Sequence, residues 1–177
     1  MYDVHGFVTP SVQMERANDH TFLFADLVGY TSFTEQVGDD LAADVAVAFQ
    51  GRAEALARTY GCQVIKKLGD AVMIHGADAA RVVALALRLR REMAAEGGCP
   101  PLRMGVHSGS AVQRDGDWYG STVNIAARVA DAAGAGEVLL SRSTRDRIAR
   151  AGVTIADRGA RSFKNVTAPQ ALFAAAA

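Results

Sequence analysis

The chain lacks most features that would assign it at a glance. It has only 2 cysteines, Cys62 and Cys99, among 177 residues. Two cannot build a disulfide framework or an all-cysteine zinc site, so a reducing, cytoplasmic setting is expected. It also lacks an excess of either charge: 19 Lys and Arg meet 19 Asp and Glu, for a formal net charge of zero. That gives no support to a general nucleic-acid binder. No apolar run approaches the ~18 residues that mark a membrane-spanning helix. The nearest candidate, 82–89, runs into Arg88, Arg90 and Arg91. No basic segment followed by an apolar one opens the chain, so neither a signal peptide nor membrane insertion is expected. What is present is ordinary for a globular protein: 50% hydrophobic and 21% charged residues, at a length suited to one domain. A chain of this size buries roughly two-thirds of its unfolded surface and needs no covalent staples.

Residues 1–20 show no hydrophobic period and read as an N-terminal arm, with the folded domain at 21–177. A buried strand at 21–26 ends on Asp26. Gly29 follows, and Ser32 with Glu35 has the pattern of a capping box for a short helix. A longer helix at 40–60 carries the stripe Leu41, Val45, Phe49, Ala53, Leu56 and Tyr60, and Gly61 closes it. Segments 62–67 and 71–76 form a hairpin turning at Leu68-Gly69-Asp70. A helix at 79–96 buries Val82, Leu85, Ala86 and Leu89, and its arginines face solvent. A strand at 102–109 precedes a hairpin tip at Asp115-Gly116. Ser121 caps a helix ending near Gly134, and Ser143 with Asp146 caps another. Short strands are expected at 138–140, 153–155 and 171–173. This order predicts an α+β protein with an antiparallel-rich sheet and helices on one face. It is a ferredoxin-like βααββαβ core with additional C-terminal α and β elements.

Single residues carry little weight alone. An aspartate at a strand end, such as Asp26, often only terminates the strand, and Asp70 has ordinary turn chemistry. Together they mean more, because a ferredoxin-like sheet can bring the first strand beside the following hairpin. Two carboxylates and backbone oxygen suit a hard divalent cation such as Mg²⁺ or Mn²⁺. The N–H groups of Val28, Gly29, Tyr30 and Thr31, leading into a helix, can cradle phosphate oxygens. Lys66 and Lys67 must point to opposite faces of their strand, and the sequence leaves open which one meets a groove. Asn124 and Arg128, four apart on a helix, share a face beside small residues. A permanent arginine cation there can stabilise phosphoryl charge. Asp117, next to Trp118 and Tyr119, is a hairpin aspartate. His107 and Trp118 read as structural.

Four segments occur in order: Phe24-Ala25-Asp26-Leu27-Val28-Gly29-Tyr30-Thr31, Lys66-Lys67-Leu68-Gly69-Asp70, Arg103-Met104-Gly105-Val106-His107-Ser108-Gly109, and Gly120-Ser121-Thr122-Val123-Asn124-Ile125-Ala126-Ala127-Arg128. In combination they resemble the catalytic domain of class III nucleotidyl cyclases of the adenylyl type. The resemblance covers 21–173, with Phe163-Lys164-Asn165-Val166 matching a final hairpin more loosely. It implies that Asp26 and Asp70 bind two divalent metal ions, with the Leu27 carbonyl assisting one. It implies that Lys66 and Asp117 read adenine, that Asn124 orients the ribose and that Arg128 meets the transition state. Lys164 is the nearest candidate for a triphosphate-binding lysine. The implied reaction turns ATP into 3′,5′-cyclic AMP and pyrophosphate. The implied partner is a second copy of the chain, each site drawing residues from both subunits.

Chemistry agrees with the adenine assignment. An ammonium donates to adenine N1 and a carboxylate accepts from the N6 amino group, whereas guanine presents the reverse pattern. Competing readings are a guanylyl cyclase and an inactive nucleotide-binding or dimerisation module. An RNA-binding ferredoxin-like domain would need an aromatic strand motif and a basic face that this chain lacks.

Overall fold

The computed structural model describes residues 19–148 and 152–176. The arm expected at 1–20 therefore lies outside the described residues except for its last two. The strands are β1 (His20–Leu27), β2 (Gln63–Leu68), β3 (Ala71–Gly76), β4 (Leu102–Gly109), β5 (Val112–Arg114), β6 (Asp117–Tyr119), β7 (Val138–Ser141), β8 (Thr154–Arg161) and β9 (Gln170–Ala176). The helices are α1 (Tyr30–Val37), α2 (Asp39–Thr59), α3 (Ala79–Ala95), α4 (Ser121–Asp131) and α5 (Arg142–Arg147).

Seven strands form one sheet in the order β2-β3-β1-β4-β7-β9-β8, and β5 and β6 make a separate hairpin. The first four strands have the ferredoxin-like arrangement, and the last three extend it. All pairings in the large sheet are antiparallel except β4 with β7. The alanine-rich end of the chain is no tail, because Ala174, Ala175 and Ala176 pair with β8.

Helices cover both faces, not the single face expected. The cause is alternation along the strands. Leu23, Ala25, Leu27, Val72, Ile74, Met104 and Val106 point one way and form the main core with α2 and α3. Phe22, Phe24 and Met73 point the other way, towards Ala126 of α4 and Trp118 of β6. Val129 of α4 and Ala133 just after it also close over Leu139 of β7 and Leu172 of β9. Gly105 permits this second layer: a Cβ there would lie 2.0 Å from Ala130 N.

Three capping expectations change. Helix α1 starts at Tyr30, with Gly29 at φ 72° as its cap and no side-chain cap, so Ser32 lies inside the helix. Gly120, not Ser121, caps α4. Ser141, not Ser143, caps α5, accepting from Thr144 N. The fully buried residues of α2 are Ala42, Ala46, Phe49, Ala53 and Ala57; Val45, Leu56 and Tyr60 of the expected stripe pack partly buried beside them, and Leu41 is exposed. Small alanines let α2 lie close to the sheet and α3, which large side chains would prevent.

Candidate active site

On the face of the sheet bearing α4 and the β5–β6 hairpin lie Asp26 and the Lys66–Asp117 pair, with Asn124 and Arg128 on the outer side of α4. Asp26 is the last residue but one of β1 and stands opposite Ala71 of β3. The backbone links β1 directly to the β2–β3 turn, since Leu27 N donates to Asp70 O at 3.2 Å. The two aspartates thus come from adjoining strand ends. Arg103 of β4 stands opposite Asp26 in the register and donates Nε and Nη2 to Asp26 Oδ2, at 2.9 and 2.6 Å. Asp26, with Asp131 and Asp70 adding attraction, pushes the Arg103 guanidinium pKa above its usual value. Among the described residues no three His, Cys, Asp or Glu side chains cluster as a metal site. Asp26 and Asp70 would supply only part of a coordination shell. That is normal for a hard cation that keeps waters or shares substrate oxygens.

Beyond Asp26 the chain turns through Gly29 into α1. The first bond of that helix runs from Phe33 N to Gly29 O. Among the described residues the N–H groups of Tyr30, Thr31 and Ser32 make no hydrogen bond, leaving donors at a helix N-terminus. Val28 departs from the expected phosphate cradle: its N–H is donated to Pro101 O at 2.8 Å.

Lys66 and Lys67 separate as strand geometry demands. Lys67 turns to α2 and pairs with Glu54 at 2.8 Å. Lys66, level with Met73, faces the α4 side and meets Asp117 at 2.6 Å. Lys66 is the main cause that holds the Asp117 carboxyl below the usual carboxylate range, and the Trp118 N–H assists. Trp118 anchors Asp117 from behind, stacked on His75 at 4.4 Å and edge-on to Phe22 at 5.6 Å. Among the described residues its buried Nε1 has no hydrogen-bond partner. The turn joining β5 to β6 uses Asp115 and Gly116, both at positive φ, as a tight hairpin requires.

Asn124 and Arg128 lie on the exposed side of α4. With Ala127, Lys164, Asn165 and Val166 they line a cavity of about 400 Å³. A neighbouring cavity is lined by Arg128, Asp131, Arg161 and Lys164 among others. Neither cavity is lined by Asp26 or Asp70. Arg128 is 3.5 Å from Asp131. The sequence pattern assigns no role to Arg103, which appears only within the 103–109 segment, or to Arg161, which lines the second cavity. Arg103 becomes visible only through the register of β1 on β4, which joins residues 77 apart.

His107 is structural, as its surroundings suggest. Its Nδ1 lies 2.7 Å from Ser141 Oγ and 3.2 Å from Ser143 Oγ. Burial lowers its pKa to about 4.

Comparison with known proteins decides the family. A model described as the adenylate and guanylate cyclase catalytic domain matches residues 12–173. The chain belongs to this family. A pH-sensitive adenylate cyclase of Mycobacterium tuberculosis is 41% identical over 133 residues, spanning 73% of this chain and 32% of that protein. An adenylate cyclase of Streptomyces coelicolor is 33% identical over 127 residues, 72% of this chain and 33% of that protein. The chain therefore spans about a third of these relatives. Among solved structures, the adenylyl cyclase CyaB from P. aeruginosa superposes with a TM-score of 0.78 at 25% identity, covering 90% of this chain and 94% of that one. A guanylate cyclase domain from Catenaria anguillulae, in complex with GTP, has the same fold. Its TM-score is 0.80 at 22% identity, covering 91% of this chain and 97% of that one. No described helix is long and apolar enough to cross a membrane.

Proposed function

We propose that this cyclase domain is an adenylyl cyclase, converting ATP to 3′,5′-cyclic AMP and pyrophosphate at two sites shared across a homodimer. The observation that carries the choice of base is the Lys66–Asp117 pair on the site face. An ammonium and a carboxylate side by side match the acceptor N1 and donor N6 of adenine. Guanine would face each with the wrong partner, at about 1–3 kcal/mol for each mispaired group.

In this reading Asn124 orients the ribose, so that its 3′-oxygen faces the α-phosphorus. A bond forms between them as the bond to the bridging oxygen of pyrophosphate breaks. Arg128 and Lys164, which share a cavity, neutralise charge on the phosphoryl oxygens. The free N–H groups of Tyr30 and Thr31, beside Gly29, hold the outer phosphates, and Val28 positions this turn through its bond to Pro101. Asp26, Asp70 and the Leu27 carbonyl would hold two divalent ions, Mg²⁺ or Mn²⁺, which supply activation of the attacking hydroxyl and charge neutralisation. The donor set fits, being all oxygen, and a guanidinium already rests on Asp26 as a cation would. Positioning and charge placement provide most of the rate in such chemistry.

In the homodimer Asn124 and Arg128, on the exposed side of α4, face the site of a second chain. Arg128 of one chain then serves Asp26 and Asp70 of its partner.

The test is direct. Purified protein is incubated with Mn²⁺ and either ATP or GTP, and the cyclic products are separated. Cyclic AMP from ATP, in excess over cyclic GTP from GTP, is expected. A preference for GTP would overturn the choice of base. Calorimetric ATP binding with no product would make the chain a binding module.

A further inference from the structure

The carboxylate at the centre of the proposed metal site is already engaged. Asp26 and Arg103 are cross-strand neighbours, and two guanidinium nitrogens converge on the single oxygen Asp26 Oδ2. Charge-assisted bonds of this kind are roughly twice as strong as neutral ones. The Arg103 and Asp26 side chains are 34% and 23% exposed, so solvent screens them less than an open surface pair. Asp70 and Asp131 act on the same guanidinium. An arginine keeps its proton at every working pH. The site therefore holds a permanent cation of its own, supplied by the strand beside Asp26.

We propose that Arg103 sets the metal affinity of the nucleotide-free site by occupying Asp26 Oδ2, an oxygen that a divalent ion must win. The proposal rests on Asp26 and Asp70 being the metal carboxylates. Without Arg103 the two acids would repel each other, and an arriving divalent ion would relieve that repulsion fully. With Arg103 present, part of the relief has been taken before the metal arrives, and one bond pair must break. Metal binding and release of Arg103 are thus coupled, and the coupling is reciprocal. A purely structural cross-strand pair would make a different prediction: its loss would lower stability and leave metal affinity alone.

The experiment measures Mn²⁺ binding to nucleotide-free protein by the electron paramagnetic resonance signal of the free ion. Thermal melts verify the fold of each variant. Arg103→Gln is expected to tighten Mn²⁺ binding about tenfold, equivalent to about 1.4 kcal/mol. Arg103→Lys keeps the charge but loses the two-pronged contact, and should fall between wild type and Arg103→Gln. It also serves as the milder variant if Arg103→Gln is unstable. Arg103→Gln combined with Asp26→Asn should bind no better than Asp26→Asn alone, because the gain acts through Asp26. Unchanged or weaker binding in Arg103→Gln, with binding lost in Asp26→Asn and Asp70→Asn, would overturn the role of Arg103 and leave the metal assignment standing. Indifference of Mn²⁺ binding to both aspartates would overturn the assignment and the proposal with it.

Discussion

Two adjacent lysines show what one residue position decides. Lys66 and Lys67 have the same chemistry, yet the pleat sends one to Asp117 and the other to Glu54. Replacing Lys67 with Ala removes an exposed ion pair, so it should cost under about 1 kcal/mol in a urea melt and leave the ATP to GTP preference unchanged. Lys66→Glu with Asp117→Ser reverses the hydrogen-bonding pattern offered to a base. It should move the ratio of kcat/KM values towards GTP, and an unmoved ratio would reject these two as base readers. Buried His107 and half-buried His75 act on stability. Burial lowers His107 and His75 from 6.5 to about 4. The unfolded chain then binds protons that the folded chain refuses, so stability is full above pH 6.5 and falls as pH drops towards 4. For His107, 8% exposed, the loss is at most about 3 kcal/mol. Urea melts from pH 7.5 to 4.5 should show this decline, and His107→Asn should make it shallower.

At the scale of the element, α4 depends on what lies beneath it. Gly105 leaves no side chain between β4 and the α4 backbone at Val129 and Ala130. Gly105→Ala forces the helix away from the sheet, and overpacking of this kind costs about 1–3 kcal/mol or more. A lowered melting temperature is expected, with activity lost beyond what stability explains, because Asn124 and Arg128 travel with the helix. Normal activity and stability would show that α4 can shift freely. Caps explain why element boundaries were harder to read than elements. The Ser32–Glu35 pair has the right spacing, but Gly29 at positive φ turns the chain earlier and starts α1 at Tyr30. In α2 the expected stripe holds at Phe49 and Ala53, and Val45, Leu56 and Tyr60 pack partly buried against the same core, but alanines make the fully buried line and Leu41 is exposed.

For the whole molecule, the shared-site reading makes a prediction no single chain can satisfy. Asp26→Ala and Arg128→Ala should each be inactive. Mixing them with subunit exchange should restore activity, because some heterodimers contain one intact site. Absence of rescue, with exchange verified, would mean that each chain works alone. Much of this organisation was legible in the sequence. A ferredoxin-like core, the hairpin at Gly69-Asp70 and a first strand lying beside that hairpin were expected and are present. The second helical layer was not, because a buried strand with apolar residues on both sides, such as Phe22-Leu23-Phe24-Ala25, says nothing about which helix covers which side.

Hydrophobic period, turn residues and motif spacing are local properties, so the order of residues alone is enough for the elements, the class of fold and the resemblance to the family. Folding in three dimensions puts Arg103 on Asp26 and α4 on the face opposite α2 and α3, and it brings Lys66 to Asp117, a pairing that the family resemblance implied and strand alternation alone left open. Each of these depends on register between strands distant in the chain. A shift of one residue would turn every one of those side chains to the other face.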